Sequence, residues 1–543
     1  MSAHTPRSPE PLEIPTGRRP KHHSAAVPAA LLGFLAAFLS LIGSTAASLW
    51  TDEAATISAA QRSWRELWEL LNNVDAVHGL YYALMHVWGG AFGFSPLALR
   101  LPSALAVGLA ASGLYVLSRR LGGPRLGLAA ALIFAILPRT TWMGMEGRSF
   151  ALSTAAVTWL SVLLAAAVEA RGRRQHLLFG VYALLASLGT CVNIYVALAV
   201  AAHGLALVLL PRVSRPALFR WAAASVAAAV LASPVVVLAA RQTGQLGSAD
   251  LSPGVILRSV AVDQWFLGET PTNPYLESSG LQLWQPASVL LALTGWVMVC
   301  SALLTSLPSS RAARLLPPGG PGSRTARRLF LTAAPMLLFP PAVLIAFSLF
   351  ASPLYNARYL SFATPAAALL LALGIVRLPR PRMRVTAVLL LVILALPVYV
   401  SQRQSEGKSG SDWAQVAAYV DEQAEDGDAV YFGPRHPPEG NDAGQTQRRI
   451  ATAYPNAFAA LKDVSLKYPG SSDGSLDGSS WLLQECGSEL ATVETVWLVR
   501  RRDYPRELLD AEDSWLRSEG FLPDAEWTGT TNTVTGFSRT PSG

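Results

Sequence analysis

The sequence predicts an all-α polytopic membrane domain followed by a small α/β soluble domain, and three observations carry that prediction. Of the 543 residues, 51% are hydrophobic and only 15% charged, with a mean hydropathy of +0.33; soluble domains carry roughly 25% charged residues. Apolar runs long enough to span a bilayer recur along the first 400 residues. The charge is divided as well: residues 401–543 hold 13 Lys/Arg against 23 Asp/Glu, whereas residues 1–400 hold 30 against 13. A net of −10 beside a net of +17 places the two regions in different environments.

Residues 1–25 are polar and Pro-rich and are predicted to be a disordered cytoplasmic N-terminus. The first apolar run, 26–47, exceeds the h-region of about 7–15 residues in a cleaved signal, so it is predicted to stay as an anchor. A membrane domain over 26–400 continues with spans at 99–118, 126–142, 150–168, 176–192, 194–211, 217–240, 284–306, 329–350, 359–376 and 385–400, about eleven in all at roughly 17–25 residues each. Arginine clusters around Arg119, Arg171, Arg212, Arg324 and Arg380, and Arg18, Arg19 and Lys21 before the first span, fall at every second loop. This is the positive-inside pattern, not a nucleic-acid footprint, and it puts the N-terminus in the cytoplasm. The stretch HGLYYALMHVWGGAFG at 78–93 is short and aromatic, which suits a helix lying in the interface.

The opposite loops, at 50–98 (the first outer loop), 143–149, a very short turn at Asn193, 241–283 and 351–358, are then expected to face the exterior together with everything beyond Ser401. The extracytoplasmic 401–543 domain alternates helical and strand patterns. SDWAQVAAYVDEQAEDGDAVYFG reads as helix, turn and strand; ETVWLVRR, PRELLDAEDSWLRSEGF and TNTVTGFSRT follow as strand, helix and strand; the Gly/Ser/Asp-rich 469–480 segment reads as a loop. Cys191, Cys300 and Cys486 are scattered, which fits neither a disulfide framework nor a zinc site.

The ionisable residues of the external loops gather at span ends: Asp52, Glu53, Asp75, His78, Glu146, Arg148 and Arg358. Charges held at that depth are costly and mark a site. Helix neighbours project about 100° apart, so of Asp52 and Glu53 one is a candidate base and the other a structural partner. Desolvation at the membrane border is expected to push such a carboxylate's pKa upward; the alternative for Asp52 is an ordinary helix N-cap. Arg148 and Arg358 suit bidentate recognition of a phosphate, although Glu146 could instead hold Arg148 in an ion pair. Tyr81, Tyr82, Trp64, Trp68, Trp88 and Tyr195 suit an interfacial aromatic belt, and His86 and His203 suit helix packing. Neither a phosphate loop nor a hydrolase motif is present.

Taken in order, WTDEA, HGLYYALMHVWGGAFG, LRLPSALAVGLAASGLYVLSRRLGG, EGRSFAL and ARYLSFATPAAALLLALG resemble the integral-membrane GT-C glycosyltransferases of the protein-O-mannosyltransferase and aminoarabinose-transferase-like group (family 39 type), in the style of an actinobacterial mannosyltransferase-like member. The resemblance covers about residues 26–400. It implies a polyprenyl-phosphate sugar donor, carrying mannose, and an extracytoplasmic glycan, glycolipid or protein acceptor. It also implies Asp52 as catalytic base with Glu53 beside it, and His78, Tyr81 and Tyr82 in the family's His-Tyr-Tyr segment. Arg148 and Arg358 (with Tyr359) are the expected contacts to the donor phosphate; Asn193, with Tyr195, stands where the family has a His. Asp75 and Glu146 complete the expected substrate-binding set. No cofactor is expected; a divalent cation on the Asp52/Glu53 pair is possible but not favoured, since the arginines supply the same charge. The alternatives are a lipid or polysaccharide flippase, transfer of arabinofuranose on the same fold, and a non-catalytic scaffold. The clustering of polar groups at one surface and the lack of internal repeats disfavour the flippase.

Overall fold

The computed structural model describes residues 25–242, 251–271, 282–307, 322–434 and 447–539. The expected N-terminal segment up to residue 24, with its Arg18, Arg19 and Lys21, lies outside the described residues.

Among the described residues eight helices are long and apolar enough to cross a membrane, and three shorter apolar helices, Ala26–Leu41, Pro124–Ile136 and Val196–Leu209, join them. All eleven expected spans fall on these helices, and the chain is a multi-pass membrane protein. One prediction is corrected: the run 126–142 is not continuous. The helix Pro124–Ile136 stops at Leu137, and Pro138 opens a six-residue helix, Pro138–Met143, because a proline ring disfavours helical backbone in the residue before it. The Gly79–Phe92 helix has 14 residues, about 21 Å at 1.5 Å per residue, shorter than a hydrocarbon core of about 30 Å.

The first helix packs against Pro96–Gly122 through small residues. A Cβ on Gly33 would lie 2.7 Å from the Gly108 carbonyl oxygen, so the backbones meet with no side chain between them, as membrane helices with small-residue stripes do. Ser112 Oγ bonds the Ala29 carbonyl across the same crossing at 2.8 Å.

Between these two spans the first loop folds into helices Thr51–Ala60, Trp64–Asn73 and Gly79–Phe92. Ser63 and Glu66 form a reciprocal capping box at the start of the second. Asp75, with φ of 58°, turns the chain through the left-handed region.

The C-terminal domain is α/β, as the sequence predicts. Its five-stranded mixed sheet runs in the order Lys462–Asp463, Ala429–Gly433, Thr495–Arg501, Asn532–Arg539, Phe521–Thr528. The first three strands are mutually parallel and the last two antiparallel. Segment 469–480 is more structured than the expected loop, since it holds a helical turn at Gly470–Asp473 and a two-residue strand at Ser479–Ser480. Side chains alternate along Ala429–Gly433: Tyr431 joins Leu498, Leu516 and Phe537 on one face. Val430 and Phe432 face the other way, into a cluster shared with Leu49, Ile57, Leu67 and Leu70 of the first loop. One hydrophobic core thus joins the C-terminal domain to the first loop.

Candidate active site

The Thr51–Ala60 helix begins directly after Trp50, which occupies the N-cap with no side-chain capping bond. Asp52 and Glu53 therefore stand in the first turn, where the helix dipole favours carboxylates, and the N-cap alternative for Asp52 does not hold. The two side chains diverge. Glu53 is fully buried and takes a bidentate ion pair from Arg100, 2.8 Å from Nε and 2.7 Å from Nη2, together with the Gly147 N–H at 3.0 Å. Arg100 spends its remaining donors on the carbonyls of Ser44, Ala47 and Ser48. Glu53 thus pins the turn after the first span and is closed off from any ligand, so the structure corrects its assignment to the substrate-binding set.

Asp52 turns the other way, with 17% of its side chain exposed. Its Oδ1 lies 3.4 Å from Arg148 Nη2 and its Oδ2 lies 3.0 Å from Arg358 Nη1. Burial raises the pKa of this carboxyl, but the guanidiniums of Arg148 and then Arg358 outweigh it and hold the group below the ordinary carboxylate value. The expected upward shift is therefore reversed, because the arginines converge on the acid itself.

Arg148 is held from behind. Its Nη1 donates to the Tyr82 hydroxyl at 2.7 Å, and that hydroxyl donates to Asp75 Oδ2 at 2.7 Å, which ties the strained turn at Asp75 to the guanidinium. The His78 ring lies 5.8 Å from that of Tyr82; burial pushes its pKa down to about 4, so it is neutral at pH 7. Tyr81 is fully buried. Arg358 lies over the Trp50 ring at 5.4 Å and beside Tyr359 at 5.7 Å, and Tyr359 stacks on Tyr195 at 5.0 Å with ring planes 14° apart. Asn193 is spent locally, its Oδ1 accepting from the Tyr195 N–H at 3.1 Å, so it shapes the turn that presents Tyr195.

Glu146 does not pair with Arg148. It is fully buried and binds Lys408 Nζ at 2.5 Å and Trp50 Nε1 at 2.7 Å, so it too sits behind the site, and the structure places it outside the substrate-facing group. The structure therefore gathers Asp52, Arg148, Arg358, Tyr82, Asp75, His78, Tyr195 and Tyr359 and leaves Glu53, Glu146 and Asn193 as supports. Sequence reasoning missed Arg100 and Lys408; an arginine inside the apolar LRLPSALAV was a usable signal, whereas Lys408 carried none. Among the described residues no three His, Cys, Asp or Glu side chains converge as a metal site would need.

Residues 79–238 match the sequence model of the family described as dolichyl-phosphate-mannose-protein mannosyltransferase. No curated protein matches the chain by sequence. Among solved structures, ArnT from Cupriavidus metallidurans in the apo state superposes with a TM-score of 0.55 at 12% identity, covering 94% of this chain and 98% of that one. The same enzyme bound to undecaprenyl phosphate gives 0.51 at 14% identity, covering 94% and 97%. The Archaeoglobus fulgidus oligosaccharyltransferase gives 0.48 at 13% identity, covering 96% and 75%. Over most of its length, therefore, this chain has the GT-C membrane fold of ArnT, and within it carries a segment, residues 79–238, matching the mannosyltransferase family that its motifs resemble.

Proposed function

We propose that the protein is a membrane glycosyltransferase that moves a sugar, mannose, from a polyprenyl-phosphate donor to an acceptor hydroxyl on the extracytoplasmic side. The observation that carries this reading is the part-exposed carboxylate of Asp52 standing between two guanidiniums, at the head of the first helix to follow the first span. A lipid phosphate stays at the bilayer surface, so a base acting on its sugar has to stand there too. The undecaprenyl phosphate bound by the similar ArnT supports the donor class, and the family match over 79–238 supports mannose.

In the proposed reaction the acceptor hydroxyl gives its proton to Asp52 as its oxygen forms a bond to the anomeric carbon. The bond from that carbon to the phosphate oxygen breaks, and the electron pair leaves on polyprenyl phosphate. Arg148 and Arg358 take the developing charge. A single displacement with no protein nucleophile inverts the anomeric centre. The guanidiniums have two employments, Asp52 before the donor arrives and the phosphate afterwards; the phosphate draws them off the carboxylate and so makes it a stronger base. Glycan, glycolipid and protein hydroxyls are all chemically competent acceptors.

The test is transfer of label from radiolabelled polyprenyl-phosphate mannose in reconstituted vesicles supplied with a cell-envelope extract. Wild type is expected to move label off the lipid, and Asp52→Asn to lose at least about a hundredfold, the low end of what a positioned base contributes. Label that stays on its lipid and changes leaflet would make the protein a flippase, and equal transfer by both proteins would remove Asp52 from the base role.

A further inference from the structure

A cavity with a volume of about 390 Å³ is lined by Asn356 and Ala357, the two residues that precede Arg358 in the chain. Asp52 and Arg148 do not line it, and its walls mix charged groups with apolar ones. Arg139 and Arg258 contribute two guanidiniums, Asp263 and Glu269 two carboxylates.

Arg139 is the unusual member. It is only 2% exposed, yet it makes no ion pair among the described residues. Its Nε and Nη2 bond the carbonyls of Gln264 and Asp263 at 3.2 and 2.5 Å, while Nη1 is buried with no protein partner. Gln264 is fully buried, and its Nε2 is likewise without a partner. Buried donors are nearly always satisfied, so groups left over beside a cavity point to a ligand. The carboxylates are also under-used. Asp263 Oδ1 stands 3.7 Å from Arg258 Nε, beyond hydrogen-bond reach, and Glu269 receives the Ser409 hydroxyl at 2.8 Å.

The composition of the walls narrows the ligand class. A phosphate would sit against two carboxylates, and a divalent cation against two guanidiniums. A neutral molecule rich in hydroxyls meets both, donating hydrogen bonds to Asp263 and Glu269 and accepting them from Arg139 and Arg258. The indole of Trp284 and the phenol of Tyr355 in the same wall supply the flat apolar surface that a sugar ring's C–H face needs. The volume lies in the range of about 300–1,000 Å³ usual for small-ligand sites.

We infer that this cavity is a glycosyl subsite that holds a hydroxyl-rich sugar ring beside the segment that carries Arg358. The inference deepens the transferase reading and rests on it for the identity of the ring, which is either the sugar of the donor or a sugar of the acceptor.

The experiment uses the purified full-length protein in detergent and the methyl glycosides of mannose, glucose, galactose and arabinofuranose. At least one is expected to raise the melting temperature of wild type. Asp263→Asn, which keeps the side-chain shape, should need about ten- to hundredfold more of it, the effect of losing one hydrogen bond to a charged group. Glu269→Gln serves as the second variant should Asp263→Asn lack a folded melting transition. The inference is overturned if no glycoside shifts wild type, or if the variant responds as wild type does, whatever the transfer assay shows. A wild type that binds a glycoside through Asp263 but moves no label from lipid would sink the transferase reading and leave the subsite standing. Where transfer occurs, a KM rise confined to the lipid donor assigns the ring to the donor, and one confined to the acceptor assigns it to the acceptor.

Discussion

Asp52 illustrates how one residue's chemistry is set by its neighbours more than by depth. Burial alone opposes its ionisation, while Arg148 and Arg358 at 3.4 and 3.0 Å reverse the balance. A carboxyl whose folded pKa lies below its ordinary 3.8 is ionised throughout the neutral range, and it loses its base form only as the pH falls through that depressed value. The acid limb of kcat/KM, which reports the free enzyme, is therefore expected below pH 3.8 in wild type. Arg148→Gln removes one cation and leaves the desolvation, so its acid limb should move to higher pH while the KM for donor rises; an unmoved limb would show that Arg148 does not govern the base. The three residues of this cluster were legible because each is an ionisable group at the end of an apolar run, where charge is costly. The pairing was not legible. Asp52 and Glu53 are adjacent and chemically alike, and what separates them is Arg100, hidden in a span, which draws Glu53 inward. Glu146 meets Lys408 across 262 positions of sequence, a distance over which local patterns say nothing.

At the scale of elements, apolar length was the dependable signal, and it failed where a proline intervened. Each of the eleven expected runs falls on an apolar helix, eight of them long enough to cross a membrane, but the break at Leu137–Pro138 was absorbed into one run because its flanks are equally apolar. In the C-terminal domain the strand Phe521–Thr528 was missed, since FLPDAEWT carries Pro523 and two carboxylates, Asp524 and Glu526; an edge strand tolerates both, and this one pairs only with Asn532–Arg539. Helix contacts depend on finer features. The crossing of Ala26–Leu41 with Pro96–Gly122 has no space for a side chain at Gly108, where a Cβ would lie 2.7 Å from the Gly33 carbonyl oxygen. Gly108→Val is thus expected to force the two spans apart and cost about 1–3 kcal/mol, as overpacking does. It should lower the melting temperature in detergent, and because the first span is followed, after residues 42–50, by the Asp52 helix, transfer should fall with it. Unchanged melting would mean that the helices repack freely.

At the scale of the whole molecule, the C-terminal domain is built into the site's support. Leu49 N–H bonds the Tyr454 hydroxyl at 2.8 Å, Ser58 Oγ the Leu476 carbonyl at 2.6 Å, and Arg62 Nη1 the Gly470 carbonyl at 2.9 Å, so both ends of the Asp52 helix are fastened from the domain. Lys408, on the connection between the last span and this domain, completes the arrangement by binding Glu146, which holds Trp50, over whose ring Arg358 lies. Burial pushes the Glu146 carboxyl up to about 7 even though Lys408 pulls it down. A carboxyl raised above its unfolded value of 4.5 favours the folded state while protonated, and that contribution is lost as the pH rises through the folded value. Lys408→Met takes away the opposing charge and leaves Glu146 alone in the interior, where an unpaired buried charge costs up to about 3–5 kcal/mol. The variant should therefore be close to wild type in melting temperature near pH 5, where Glu146 can be neutral, and fall progressively behind it toward pH 8.5, with transfer declining over the same interval. A deficit independent of pH would instead assign Lys408 to packing alone and cut the proposed route from the domain junction to Arg358.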